Sequence, residues 1–134
     1  MRGQRPIPEK IEQAHVVQLL RSLGWAVYVI GHPSPADGRT FRGTGQTPGM
    51  ADLEAHSPGH SIRGPELVKI EVKAKGGKLR SEQVTYQQLC ERSMVAHIVG
   101  GLDAVIAWLM AAGYLTSDRV PYYRLPLDNS DKRV

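Results

Sequence analysis

Apolar residues recur along this chain with two periods. Between Pro8 and Leu23, the residues Val16, Leu19, Leu20 and Leu23 fall on one side of a 3.6-residue spiral, which predicts an amphipathic helix stopped by Gly24. Trp25 to Ile30 is an unbroken apolar run and predicts a strand covered on both faces, hence interior. Ala51 to Ala55 predicts a second strand, and Glu66 to Lys73, where apolar and polar residues alternate, a third. The intervening turn, His56 to Pro65, carries Pro58, Gly59, Gly64 and Pro65, and would make these two an antiparallel hairpin. Ser81 reads as the N-cap of a helix over Glu82 to Ser93, with Tyr86, Leu89, Cys90 and Met94 facing inward. Val95 to Val99 predicts a buried strand parallel to a neighbour. A last helix runs from Asp103 to Ala112, with Leu102, Val105, Ile106, Leu109 and Met110 apolar, and closes at Gly113. The order αβββαβα predicts an α/β fold, a small mixed sheet flanked by helices. Its units are a basic segment over 1–8, a core over 9–113 and a C-terminal extension over 114–134. In that extension Tyr122, Tyr123 and Arg124 suit either an edge strand or stacking on bases.

Composition narrows the picture. The chain has 134 residues with 41% hydrophobic and 22% charged, enough for one domain and its core. A net charge of +4 mildly favours a polyanionic partner. The single cysteine, Cys90, excludes an intramolecular disulfide and a cysteine zinc cluster, and suits a reducing, cytoplasmic setting. It reads as a small core hydrophobe. The basic N-terminus lacks the apolar stretch of a signal peptide, and no apolar run reaches the ~20 residues of a membrane span. The five histidines show no helical pairing; His97 on its strand suits a hydrogen-bonded core position.

The candidate chemistry sits on the third strand. Lys69, Glu71 and Lys73 point to one face, and Asp52 lies on the strand paired with it. Two carboxylates brought together repel unless a cation lies between them, so this set suits a hard divalent metal. A surface ion pair between Glu71 and a neighbouring lysine is the plain alternative. Two further polar residues fall on or beside core-facing lines: Glu12, four residues before Val16, and Gln83, one turn before Tyr86. The long loop from Gly31 to Gly49 holds Arg39 and Arg42 among small residues, and the turn Lys75-Gly76-Gly77-Lys78 is basic. Both suit contact with a phosphate backbone, although the loop also reads as a plain connection.

These residues resemble the restriction-endonuclease-like superfamily, whose signature is Pro-Asp…(Asp/Glu)-X-Lys, and within it the VRR-NUC group of stand-alone, often phage-borne nucleases. The likeness covers residues 9 to 112. It is carried by Glu12, Gly49 to Leu53 around Asp52, Glu71-Val72-Lys73, Gly76 to Leu79 with Ser81 to Gln83, and Val99 to Val105. Met50-Ala51 stands where the signature has Pro before Asp, and Gly100-Gly101 where the group has two arginines after valine.

The resemblance implies cleavage of phosphodiester bonds with Mg²⁺ or Mn²⁺. Asp52 and Glu71 would hold the metal, with Glu12 as a further ligand directly or through water and the Val72 carbonyl as another oxygen. Lys73 would orient or deprotonate the attacking water, and Gln83 would position Lys73 or the phosphate. The likeness further implies action on branched DNA, such as four-way junctions, by a homodimer in the cytoplasm, a phage host's included. A non-catalytic DNA-binding module on the same fold is the competing expectation.

Overall fold

The hydrophobic spacing of the first helix decides where the core lies. In the computed structural model, which describes residues 7–30, 49–59 and 63–120, α1 spans Glu9–Ser22 and buries Val16, Leu19 and Leu20. Four strands follow: β1 Ala26–Val29, β2 Leu53–His56, β3 Leu67–Val72 and, after helix α2 Ser81–Arg92, β4 Ala96–Gly100. Helix α3, Leu102–Ala111, follows β4. This is the expected αβββαβα order. The sheet is mixed, in the order β1-β2-β3-β4, antiparallel except for the β3–β4 pair. No helix among the described residues is long and apolar enough to cross a membrane.

Strand parity sorts the side chains. Val27, Leu53, Ala55, Val68, Ile70, Val72 and Ile98 point to one face, where α1 and α3 cover them with Val16, Leu20, Val105 and Leu109. The opposite face carries Glu54, Lys69, Glu71 and His97, and α2 packs there against β4. Glu54 accepts from Lys69 and pairs with His56 at 2.8 Å; these two hydrogen bonds, that of Lys69 most of all, hold its carboxyl below the ordinary value.

The three helices among the described residues end in the same device. After α1, the Trp25 N–H donates to the Leu20 carbonyl and the Gly24 N–H to Arg21, both at 3.0 Å. Val95 and Met94 do the same at the end of α2, and Tyr114 and Gly113 at the end of α3. Each is a Schellman closure with its C′ residue in the left-handed region: Gly24, Met94 and Gly113.

Several expectations are corrected. β1 is not interior: it lies at the end of the four-stranded sheet, and Tyr28 and Val29 are 58% and 53% exposed. Its unbroken apolar run has one face on the core, and only Val27 within the strand is buried. β4 closes the opposite edge and buries only Ile98. Helix α2 does not turn Leu89 and Met94 inward. Its buried residues are Gln83 and Cys90, and Met94 lies beyond the helix as the closing residue, 92% exposed. Arg80, not Ser81, is the N-cap, because the Gln83 side chain accepts the Arg80 N–H. The core also runs past residue 113: Leu115 is buried and Tyr114 meets Trp25 and Trp108. His97 Nδ1 is buried without a hydrogen bond, against Tyr86, and burial lowers the His97 pKa. Tyr122, Tyr123 and Arg124 lie outside the described residues.

Met94 holds φ at +60°, a conformation costing a side-chain-bearing residue about 1–2 kcal/mol, while its own side chain buries almost nothing. Met94→Gly should therefore raise stability by about 1 kcal/mol. Urea unfolding measures this; an unchanged or lower midpoint would contradict it.

Candidate active site at the Asp52–Glu71 cross-strand pair

The β2–β3 register pairs Leu53 with Ile70. One residue further along the ladder, Asp52 comes opposite Glu71, with both side chains on the α2 face. Two backbone bonds hold this end in place: the Ile30 N–H donates to the Asp52 carbonyl at 2.7 Å, and the Lys73 N–H to the Gly100 carbonyl at 3.1 Å. The Asp52 carboxylate is itself anchored, since its Oδ2 accepts from the Val72 N–H at 2.8 Å. Like charges directly opposite one another destabilise a sheet, and these lie in a place with little water to screen them.

Glu71 is 3% exposed, so the surface ion-pair alternative does not describe it. Its Oε2 accepts from Gln83 Nε2 at 2.9 Å and lies 3.8 Å from Lys73 Nζ. The Gln83 amide has only one workable orientation, because its Oε1 takes the Arg80 N–H at 2.8 Å. Gln83, 4% exposed, therefore closes the first turn of α2 and steadies Glu71 at once. Gly49 lets this happen at close quarters: with φ +98°, a Cβ there would sit 2.5 Å from the Glu82 carbonyl oxygen.

Burial and the Asp52 carboxylate push Glu71 up to about 8, and Lys73 opposes them only in part. As an acid, Glu71 can donate to Asp52. As a carboxylate, its Oε1 is buried with no donor in reach. An unpartnered anionic oxygen beside a second carboxylate fits a hard cation, and Mg²⁺ is commonly held by one or two carboxylates plus waters. No three His, Cys, Asp or Glu side chains among the described residues converge as a metal set. The side-chain donors at hand are thus Asp52 and Glu71.

The other expected site residues are placed as follows. Asp52, Glu71, Lys73 and Gln83 come together. Val72 turns its side chain into the core while its backbone meets Asp52. Glu12, the further expected ligand, lies at the start of α3: its Oε1 accepts from the Leu102 N–H at 2.9 Å, and Gly101 leaves room for it there. Gln83 meets Glu71, not Lys73. Lys75 and Lys78 are exposed on the turn after β3, where the Gly77 N–H meets the Ala74 carbonyl at 2.8 Å. Arg39 and Arg42 lie outside the described residues. Sequence reasoning missed Glu9, whose charge also raises Glu71. Its only signal was an acid in the first turn of α1, one turn before Glu12.

The raised Glu71 has a consequence for stability. An unfolded chain ionises this residue near its ordinary value of 4.5, whereas the folded protein keeps the proton to about 8. Between these limits the folded state binds more protons, so stability falls as pH rises. Metal-free protein should melt lower at pH 8 than at pH 5, and Glu71→Gln should flatten that fall. Thermal unfolding across this range measures both. A wild-type midpoint that holds or rises, or an equal fall in the variant, would contradict the assignment.

No family model matches the chain, and no curated protein does. Among solved structures, one described as a VRR_NUC domain superposes with a TM-score of 0.54 at 20% identity, covering 77% of this chain and 94% of that one. At that identity the likeness bears on architecture alone: this chain has the α/β fold of the structure described as a VRR_NUC domain.

Proposed function

We propose that the protein is a metal-dependent DNA endonuclease. The observation carrying this reading is the cross-strand pair of half-buried Asp52 and buried Glu71, two carboxylates facing each other with Lys73 Nζ 3.8 Å from Glu71. A stable protein that keeps such a pair needs something to relieve it, and a divalent cation does so. The fold shared with a VRR_NUC domain points the same way.

Asp52, Glu71 and the Val72 carbonyl would hold Mg²⁺ or Mn²⁺, which supplies Lewis-acid polarisation of a phosphodiester and a more acidic water. The chain's own contributions follow from its geometry. The Val72 N–H fixes the Asp52 carboxylate, and Gln83 fixes that of Glu71. Lys73 brings a positive charge to the rim, where it orients the attacking water and offsets charge developing on the phosphate. Lys75 and Lys78 extend that positive rim along the turn and take the phosphate backbone of DNA, together with Arg39 and Arg42. Branched DNA, such as a four-way junction, is the proposed substrate. Two coordinated cuts on it would require a homodimer, acting in the cytoplasm.

Incubating the protein with labelled junction, flap and linear duplexes, with and without Mg²⁺, tests this. Cleavage should require the metal and favour the junction. Asp52→Asn and Lys73→Ala should each lower turnover by at least about 100-fold while DNA binding persists. Binding without cleavage by the wild type on every substrate would favour a non-catalytic DNA-binding module. Normal turnover by both variants would refute the centre.

A further inference from the structure

Helices α1 and α3 meet at a point outside the Asp52–Glu71 pair. Glu12 Oε1 accepts from the Leu102 N–H across a separation of 90 residues. Leu102 opens α3, whose first N–H groups have no partner within the helix, so a carboxylate there satisfies a donor and meets the positive end of the helix dipole. Gly101 admits that carboxylate. A Cβ at position 101 would lie 2.3 Å from Glu12 Oε1 and 2.5 Å from its Cδ. The φ of Gly101, −113°, is open to other residues, so crowding by Glu12 is what calls for glycine. The residue before it, Gly100, pairs with Val72 and accepts the Lys73 N–H. The β4–α3 turn is thus held by Glu12 on one side and carries the backbone of Val72 and Lys73 on the other.

We propose that Glu12 is a positioning residue and not a metal ligand: its carboxylate fastens α1 to the β4–α3 turn and so sets the backbone of Val72 and Lys73. This rests on the nuclease reading above. The same fastening holds the first turn of α1, which carries Glu9, within electrostatic range of Glu71. A ligand at Glu12 would need its charge; a fastener needs only an oxygen that accepts from Leu102. Gln keeps that oxygen and Ala removes it. Gly101→Ala acts from the other side, since its Cβ drives the Glu12 carboxylate away from Leu102 while leaving every carboxylate in the chain.

Four variants separate these roles: Glu12→Gln, Glu12→Ala, Gly101→Ala and, as the ligand control, Glu71→Gln. Mn²⁺ binding is read by calorimetry, and kcat and KM on the cleaved substrate by single-substrate kinetics. Glu12→Gln should bind Mn²⁺ like the wild type and turn over within about threefold of it, whereas Glu12→Ala and Gly101→Ala should lose about 10- to 100-fold in kcat. Glu71→Gln should lose Mn²⁺ binding. Loss of Mn²⁺ by Glu12→Gln to the same degree makes Glu12 a ligand and overturns the proposal, as does wild-type kcat in both Glu12→Ala and Gly101→Ala. If Glu12→Ala fails to fold, Gly101→Ala and Glu12→Gln still decide it. A wild type that neither binds Mn²⁺ nor cleaves DNA overturns the nuclease reading itself, and this inference with it.

Discussion

The structure turns on a repulsion that its own backbone imposes. Antiparallel pairing of β2 with β3 leaves Asp52 and Glu71 no freedom to separate, because slipping β2 by a residue would drive Leu53 and Ala55 out of the core, and slipping β3 would do the same to Val68 and Ile70. The apolar alternation that stabilises the sheet therefore also forces the acidic pair together. Val72, Gln83 and Lys73 each reduce the cost by a hydrogen bond or a charge, yet Glu71 still holds its proton well above the usual carboxylate range. A protein built only for stability would place an apolar residue at one of these two positions.

The layers divide the labour. One face of the sheet, with α1 and α3, contains the apolar core. The other face carries charge, and α2 gives that core no buried side chain; its contribution is Gln83, aimed at Glu71 from the helix's first turn. Gly49 and Gly101 serve opposite sides of this arrangement, one admitting the backbone of α2 and the other the carboxylate of Glu12. Strands ending beside helix starts place backbone donors and carboxylates within a few ångströms of each other.

Much of this could be read from residues alone, for a physical reason. Period-two alternation in Leu67 to Lys73 puts Glu71 and Lys73 on one face whatever the sheet order, and the short hairpin connection carries Asp52 to the same end. Helix periodicity likewise gave α1 and α3, and the element order followed. What escaped depends on long-range pairing or on local backbone energetics. Whether Trp25 to Ile30 lies inside or at an edge is decided by its neighbours, not by its own hydrophobicity. The apolar stripe of α2 carries on past the helix end to Met94, and a left-handed closure at a non-glycine residue gives little warning in the sequence. Periodicity puts Glu12 on an inward line of α1, but its partner, a backbone amide 90 residues away, is set by the tertiary fold. Of Gly100-Gly101, the second glycine answers to the Glu12 carboxylate beside it and the first to its positive φ and to Ala104, neither of which the local sequence displays.

The most direct measurement counts the protons displaced when metal binds. If a cation takes the place between Asp52 and Glu71, Mn²⁺ must expel the proton that Glu71 keeps near neutrality. Titrating Mn²⁺ at pH 7 in two buffers of different ionisation enthalpy should show release of roughly one proton per ion bound. Saturable binding with no proton release would mean that the ion sits elsewhere, and the account of this pair would fail.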